Sequence, residues 1–142
     1  KERTSTVITS DTLRFDYSNS VAVFEGSVVV NDPDITIECN KLTVTLDGED
    51  DVKSVLAQGG VGLWQGDKVG RASKAIYSAK TGWIVLEGNA GVKRGKDLVM
   101  GERITFHVNE DAVTCEKGKL VLFPTGAQAD MFEGMKQKRD ND

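Results

Sequence analysis

The chain has 142 residues, with 18 lysines and arginines against 22 aspartates and glutamates, for a formal net charge of -4. Hydrophobic residues make up 39% and charged residues 28%, so the composition is not that of a disordered chain, and no apolar run approaches the roughly 20 residues of a membrane-spanning helix. The length predicts one domain, and the scattered basic residues argue against a nucleic-acid partner.

Apolar and polar residues alternate in most segments of the chain. Leu13, Phe15 and Tyr17 alternate with polar neighbours, and segments 35–39, 41–46 and 103–108 show the same period of two. This period is typical of β-strands with one buried face. Turn-forming residues separate the strands at 18–20, 31–34, 47–50, 80–82 and 109–111. The pattern predicts about twelve short antiparallel strands in an all-β sandwich, barrel or solenoid.

The same pattern occurs twice, 62 positions apart. Residues 13–46 match residues 75–108, and glycines at 26, 59, 88 and 118 follow one another at intervals of 33, 29 and 30. Such spacing indicates stacked units of about thirty residues and favours a solenoid-like folded sheet with an internal repeat. Ile35 and Ile37 match Leu98 and Met100 at an offset of 63 instead. A bulge at 38–40, absent near Gly101, would account for the difference.

Residues 1–124 carry the strand pattern, and residues 125–142 read as a solvated tail that we expect to be poorly ordered. The chain opens at Lys1 without an apolar signal-peptide core, so a signal peptide either never existed or has been removed.

Residues suited to catalysis are few. The single histidine, His107, alternates with Phe106 and Val108 and should face solvent, so no catalytic triad is expected. Cys39 and Cys115 lack metal-ligand spacing, which leaves a disulfide, two buried thiols, or a redox state set by the compartment. Gly59 to Gly62 are not followed by a helix pattern and more naturally mark a bent strand than a phosphate loop. Asp32 with Asp34, and Glu49 with Asp50 and Asp51, lack a calcium-binding pattern and are interpreted as hydrated turns. No enzyme activity, metal or cofactor is predicted.

Three motifs resemble a known family: Phe24-Glu25-Gly26, Leu86-Glu87-Gly88-Asn89-Ala90 and Gly101-Glu102-Arg103-Ile104-Thr105. In this order they are similar to the OstA-like, or LptA, family of periplasmic lipopolysaccharide-transport bridge proteins, over about residues 5–123. The resemblance implies an open β-jellyroll groove in which lipid A acyl chains travel while sugars and phosphates stay outside. It also implies a removed signal peptide, a periplasmic location, and head-to-tail stacking through edge strands with itself and with Lpt components of the same fold at both membranes.

The inward positions of the predicted strands carry no charge. Periodicity alone is explained by an ordinary close-packed core, and the groove follows only from the resemblance. The candidate groove residues are Phe24, Val28, Ile35, Ile37, Leu42, Val44, Leu86, Leu98, Met100, Ile104 and Phe106. Two functions remain open: a lipopolysaccharide carrier or bridge, and an interaction module that assembles through its edge strands without holding lipid. An enzyme acting on polysaccharide is disfavoured, because no strand face carries a carboxylate constellation.

Overall fold

The computed structural model describes residues 5–48 and 51–122, which form ten strands of a single antiparallel sheet. Within these two ranges the chain contains no helix, and therefore no helix long and apolar enough to cross a membrane. The strands are β1 (Val7–Thr9), β2 (Thr12–Asp16), β3 (Val21–Asn31), β4 (Thr36–Asp47), β5 (Asp51–Gln65), β6 (Lys68–Ser78), β7 (Trp83–Arg94), β8 (Asp97–His107), β9 (Val113–Glu116) and β10 (Lys119–Val121).

The strands from β3 to β8 pair with their sequence neighbours, while β1 and β2 both pair with β3 at one edge, and β9 and β10 both pair with β8 at the other. The predicted all-β, antiparallel open sheet is confirmed. The expected number of about twelve short strands is wrong, because segments 35–39 and 41–46 belong largely to one strand, β4. The chain passes through an irregularity there instead of turning. The expected tail, residues 125–142, lies outside the described residues.

A line of bulges crosses the sheet. Two residues of β3, Gly26 and Ser27, lie opposite the single residue Asn40 of β4. β5 and β7 bulge at the same level, at 59–60 and 88–89, and all six bulge residues have positive φ, between 46° and 84°. At the two edges the line continues as the gaps between β1 and β2 and between β9 and β10. Because bulges bend a sheet, this line is a crease. The thirty-residue spacing in the sequence is the spacing of the crease along the chain.

The crease divides the sheet into two walls that fold over one another. The first wall consists of β2, β9 and the strand halves 21–25, 41–47, 51–58, 74–78, 83–87 and 103–107. The second wall consists of β1, β10 and the halves 28–31, 36–39, 61–65, 68–72, 90–94 and 97–101. Strands that are not hydrogen-bonded neighbours in the described part keep their Cα atoms more than 8 Å apart, as expected for facing sheets about 10 Å apart.

The two repeats have the same pairing throughout. Val30 of β3 lies opposite Ile37 of β4, and Val92 of β7 lies opposite Val99 of β8, so the offset of 62 holds on both sides of the crease. The expectation that a bulge at 38–40 has no counterpart near Gly101 is therefore wrong. Each bulge adds one residue, in β3 and in β7. Opposite these bulges, in β4 and in β8, the inward-facing positions switch from odd-numbered to even-numbered residues.

Candidate functional site

The inner faces of the two walls carry most of the predicted groove residues. Seven of these side chains are buried with 0–8% exposure, and two are partly buried against them. The buried ones are Phe24, Val28, Leu42, Val44, Leu86, Ile104 and Phe106, and the partly buried ones are Ile35 and Ile37. The base of the fold is thus a close-packed core, as periodicity alone predicts.

The inner-face placement of Leu98 and Met100 is wrong. Val99, between them, packs against the core, whereas Met100 is 43% exposed on the outer face of the second wall. The parity change in β8 near Glu102 is the reason, since it turns the residues before the crease over relative to Ile104. The apolar match at an offset of 63 was therefore not the structural correspondence.

The walls do not fill all the space between them. A cavity of about 500 Å³ lies there, with Ile37 and Leu63 of the second wall on one side and Ala57 and Tyr77 of the first wall on the other. Its lining also includes Asp32, Asp34, Ile35, Val55, Gln65, Ala75, Ile84, Val108 and Asn109. The inner face is a trough with a packed base and an open upper part, and we call this space the trough.

The inner face continues to both edges of the sheet. Leu13 and Phe15 of β2 lie opposite Phe24 and Ala22, and they are 57% and 41% exposed. At the other edge Leu120 of β10 is 59% exposed. The sequence had placed Leu13 and Phe15 on the apolar face but outside the groove. These exposed side chains extend the apolar inner surface to both edges of the sheet, so it opens at each end of the trough.

Polar residues close part of the rim. Gln65, Lys68 and Arg94 are consecutive partners in register at the outer end of the second wall. Gln65 Nε2 donates to the Val108 carbonyl oxygen at 3.3 Å, Lys68 Nζ lies 5.0 Å from the centre of the Phe106 ring, and Arg94 Nη1 lies 3.2 Å from an Asp111 oxygen. We call these three contacts the clasp, because each joins one wall to the other or to the loop that follows it.

The clasp was missed in the sequence. Lys68, Gly70 and Ala72 alternate as an inward row, and the sequence analysis did not single out the lysine at its start. Arg94 is also bound to Asp67 at 3.3 Å, and this hydrogen bond, followed by the charge of Asp111, raises the pKa of the guanidinium. Arg94 therefore stays charged and tied to carboxylates on both sides.

The histidine and the two cysteines do not line the cavity of the trough. His107 faces outward as predicted, edge-on to Trp83, with Nε2 at 2.8 Å from the Thr81 carbonyl oxygen. Both cysteines are free thiols: Cys39 is buried, which raises its pKa, and Cys115 is half-buried. Within the described ranges no three histidine, cysteine or acidic side chains are grouped to hold a metal ion, and Glu49 and Asp50 fall outside those ranges. The trough is the feature best suited to a function.

Comparison with known proteins gives consistent matches. The family model described as "LptA/(LptD N-terminal domain) LPS transport protein" matches residues 7–112. The lipopolysaccharide export system proteins LptA of Escherichia coli K12 and of Shigella flexneri are each 31% identical to this chain, over 94% of it and 80% of their own length. The crystal structure of LptH, the LptA-homologous periplasmic component of the lipopolysaccharide transport device of Pseudomonas aeruginosa, has a TM-score of 0.79 at 19% identity, covering 84% of this chain and 96% of that one. The last likeness concerns the fold.

Proposed function

The chain belongs to the LptA/LptD N-terminal domain family of lipopolysaccharide transport proteins, which are transport components and not enzymes, and on this basis we propose that it shields lipopolysaccharide acyl chains in its trough. The proposed setting is the periplasm, on the way to the outer membrane. The observation that carries the proposal is the apolar inner face, which encloses a cavity of about 500 Å³ and stays exposed at Leu13 and Leu120, one at each edge of the sheet.

An apolar trough suffices to hold an acyl chain. Each methylene group removed from water contributes about 0.8 kcal/mol, so a chain of about a dozen carbons gains on the order of 10 kcal/mol before the entropy of association is subtracted. Ile37, Leu63 and Tyr77 supply such contacts around the cavity. No specific polar contact is needed for this gain, and a downstream trough of similar composition can receive the chain at little net change in free energy.

The edges of the sheet suit head-to-tail assembly. At one edge β1 and β2, and at the other β9 and β10, have 3–5 residues each and outer sides to which the described chain adds no further strand. Such edges accept a strand from another molecule. Joining Leu13 and Phe15 of one copy to the Leu120 edge of the next, or to a homologous domain at either membrane, would bury these side chains and make one continuous apolar path.

Photo-crosslinking in the native host tests lipid contact directly. A photoreactive residue at Ile37 lines the cavity, whereas one at Ile76 lies on the outer face of the same fold, 36% exposed. We expect lipopolysaccharide adducts from position 37 and few from position 76. Equal adduct yields at the two positions, or none at either, would contradict the carrier proposal.

A second candidate is an assembly module that carries no lipid. It is favoured by the packed base of the trough, where Leu42, Leu86 and Ile104 are 0% exposed. Ile37→Asp separates the two functions, with Ile76→Asp as the outer-face control. The carrier loses lipid capture in the Ile37 variant and keeps its concentration-dependent assembly, whereas a pure module keeps its assembly and shows no lipid capture in any variant.

A further inference from the structure

Lys68 is a charged side chain on the inner face of the trough. It is 8% exposed and is the one charged or polar residue that is buried as a whole within the described ranges. Its ammonium lies 5.0 Å from the centre of the Phe106 ring, and none of the described carboxylates makes an ion pair with it. Because the ammonium nitrogen is not fully enclosed, an anion can reach it, and the face of an aromatic ring replaces only a part of what a counter-ion would supply.

The carboxylates nearest along the rim are already used. Arg94, which is the register partner of Lys68, binds both Asp67 and Asp111. On the other side of Lys68, Gln65 donates to Val108, while its amide oxygen is buried without a hydrogen-bond partner among the described residues. Gln65 also lines the cavity. A donor that lacks an acceptor, Lys68, is thus the register partner of a residue on the cavity wall whose acceptor lacks a donor, Gln65.

We propose that Lys68 binds an anionic oxygen, of a phosphate or a carboxylate, on an amphipathic ligand whose hydrocarbon chain lies in the trough. The proposal rests on the proposed function and specifies its ligand. Lys68 supplies the charge, Phe106 supports the ammonium from below, and the Gln65 amide oxygen accepts from a hydroxyl or N–H group of the same ligand. Because Gln65 borders both the cavity and Lys68, the polar group and the chain it carries occupy adjoining spaces.

Displacement of a neutral hydrophobic dye, N-phenyl-1-naphthylamine, distinguishes the contribution of the ligand's charge to binding from that of its hydrocarbon chain. Dodecanol, dodecanoate and dodecyl phosphate share a hydrocarbon chain and differ in the polar group, and all are used below their micelle concentrations at neutral to slightly alkaline pH. Since a hydrogen bond to a charged group is worth about 1.5–3 kcal/mol, we expect at least one anion to displace the dye at about one tenth of the dodecanol concentration. Which anion is more effective identifies the polar group.

Variants at two lysines assign the effect. Lys68→Met should remove the preference for the anion and leave dodecanol unchanged, and Lys68→Arg should keep the preference. Lys93→Met, which removes an exposed charge from the neighbouring strand, should behave as the wild type. Circular dichroism and thermal unfolding confirm that each variant is folded, and Lys68→Gln serves as a second neutral variant.

The outcomes distinguish this inference from the proposed function. Equal displacement by dodecanol and both anions in the wild type, or an anion preference that survives in both neutral Lys68 variants, would overturn the anion site while leaving an apolar lipid trough. Failure of all three amphiphiles to displace the dye would overturn the proposed function, and the anion site with it.

Discussion

The β3–β4 and β7–β8 hairpins are the same structural unit, but their rims differ. Both follow one register and both bulge at the crease, at 26–27 in the first and at 88–89 in the second. In the first hairpin the turn carries Asp32 and Asp34 and borders the open cavity. In the second, Arg94 stands at the position equivalent to Asp32 and is bound to Asp111, so the rim there is closed.

This difference separates what makes the fold from what adapts it. The shared features are the bulges and the buried side chains, and each contributes up to several kcal/mol when disturbed. The differing features are exposed ion pairs, which typically contribute about 0–1 kcal/mol, and one cation–π contact. The crease and the core are therefore much more stable than the ionic contacts at the rim. We expect the trough to open at its rim without unfolding at its base.

The first prediction concerns the crease, which both hairpins need and where a large effect is expected. Gly88 has a φ of +84°, and a Cβ there would lie 2.8 Å from the Ser73 Cβ. Gly88→Ala therefore combines left-handed strain with overpacking, and we expect it to lower the free energy of unfolding by about 2–4 kcal/mol in urea titrations.

Gly95 is the matched control, since its φ is +62° and its Cβ position is open. Gly95→Ala should lower the free energy of unfolding by strain alone, about 1–2 kcal/mol. Equal losses for the two substitutions would mean that close approach at the crease is unimportant, and that the bulges tolerate larger residues.

The second prediction compares the packed base with the open upper part of the trough. Leu86 is 0% exposed, so Leu86→Ala should lower the free energy of unfolding by about 2–5 kcal/mol. Ile37 borders the cavity, so Ile37→Ala should lower it by about 1 kcal/mol, because fewer contacts are lost.

Ligand binding should rank these two variants in the opposite order. Ile37→Ala should weaken dye or lipid binding in the folded protein, and Leu86→Ala should leave binding per folded molecule unchanged. Comparable destabilisation by the two substitutions, measured by urea unfolding, would show that the upper part of the trough is packed in solution.

Alternation in the sequence predicted the inner face in β3 and most of β7, because the inward parity of these strands is unchanged across their bulges, and in β4, where Ile35, Ile37 and Cys39 and then Leu42, Val44 and Leu46 show both parities directly. It failed in β8, where Val99 rather than Leu98 and Met100 packs inward, because the parity of one strand depends on bulges in its neighbour. Pairing partners are not visible in a single segment of sequence.

The cavity and the burial of Lys68 could not be predicted from the alternation for a different reason. Alternation shows which face a residue is on, but not how far the opposite wall lies from it, so a filled core and an open trough give the same sequence pattern. Lys68 is buried on the inner face, where its ammonium lies over the ring of Phe106 on the facing wall. That contact joins residues 38 positions apart, on walls whose mutual placement is set by the crease.

The smallest expected effect on stability, and the most specific for the comparison, comes from the closed rim. Arg94→Gln removes the ion pairs with Asp67 and Asp111 and leaves the crease and the core intact. Since the Arg94 side chain is 51% exposed, we expect little change in the free energy of unfolding. The rate of dye entry in stopped-flow fluorescence should rise, and added salt should raise it in the wild type but little in the variant.

Arg103→Gln tests whether this effect belongs to the rim. Arg103 is 50% exposed and binds Glu87 and Glu116, but it lies on the outer face of the first wall. Its loss should change stability about as little as the Arg94 substitution, yet leave dye entry and its salt dependence at wild-type values. Equal acceleration in both variants would mean that entry follows general loosening of the sheet. Acceleration in the Arg94 variant alone would mean that the second hairpin differs from the first chiefly by a weak ionic closure over a trough that both hairpins form.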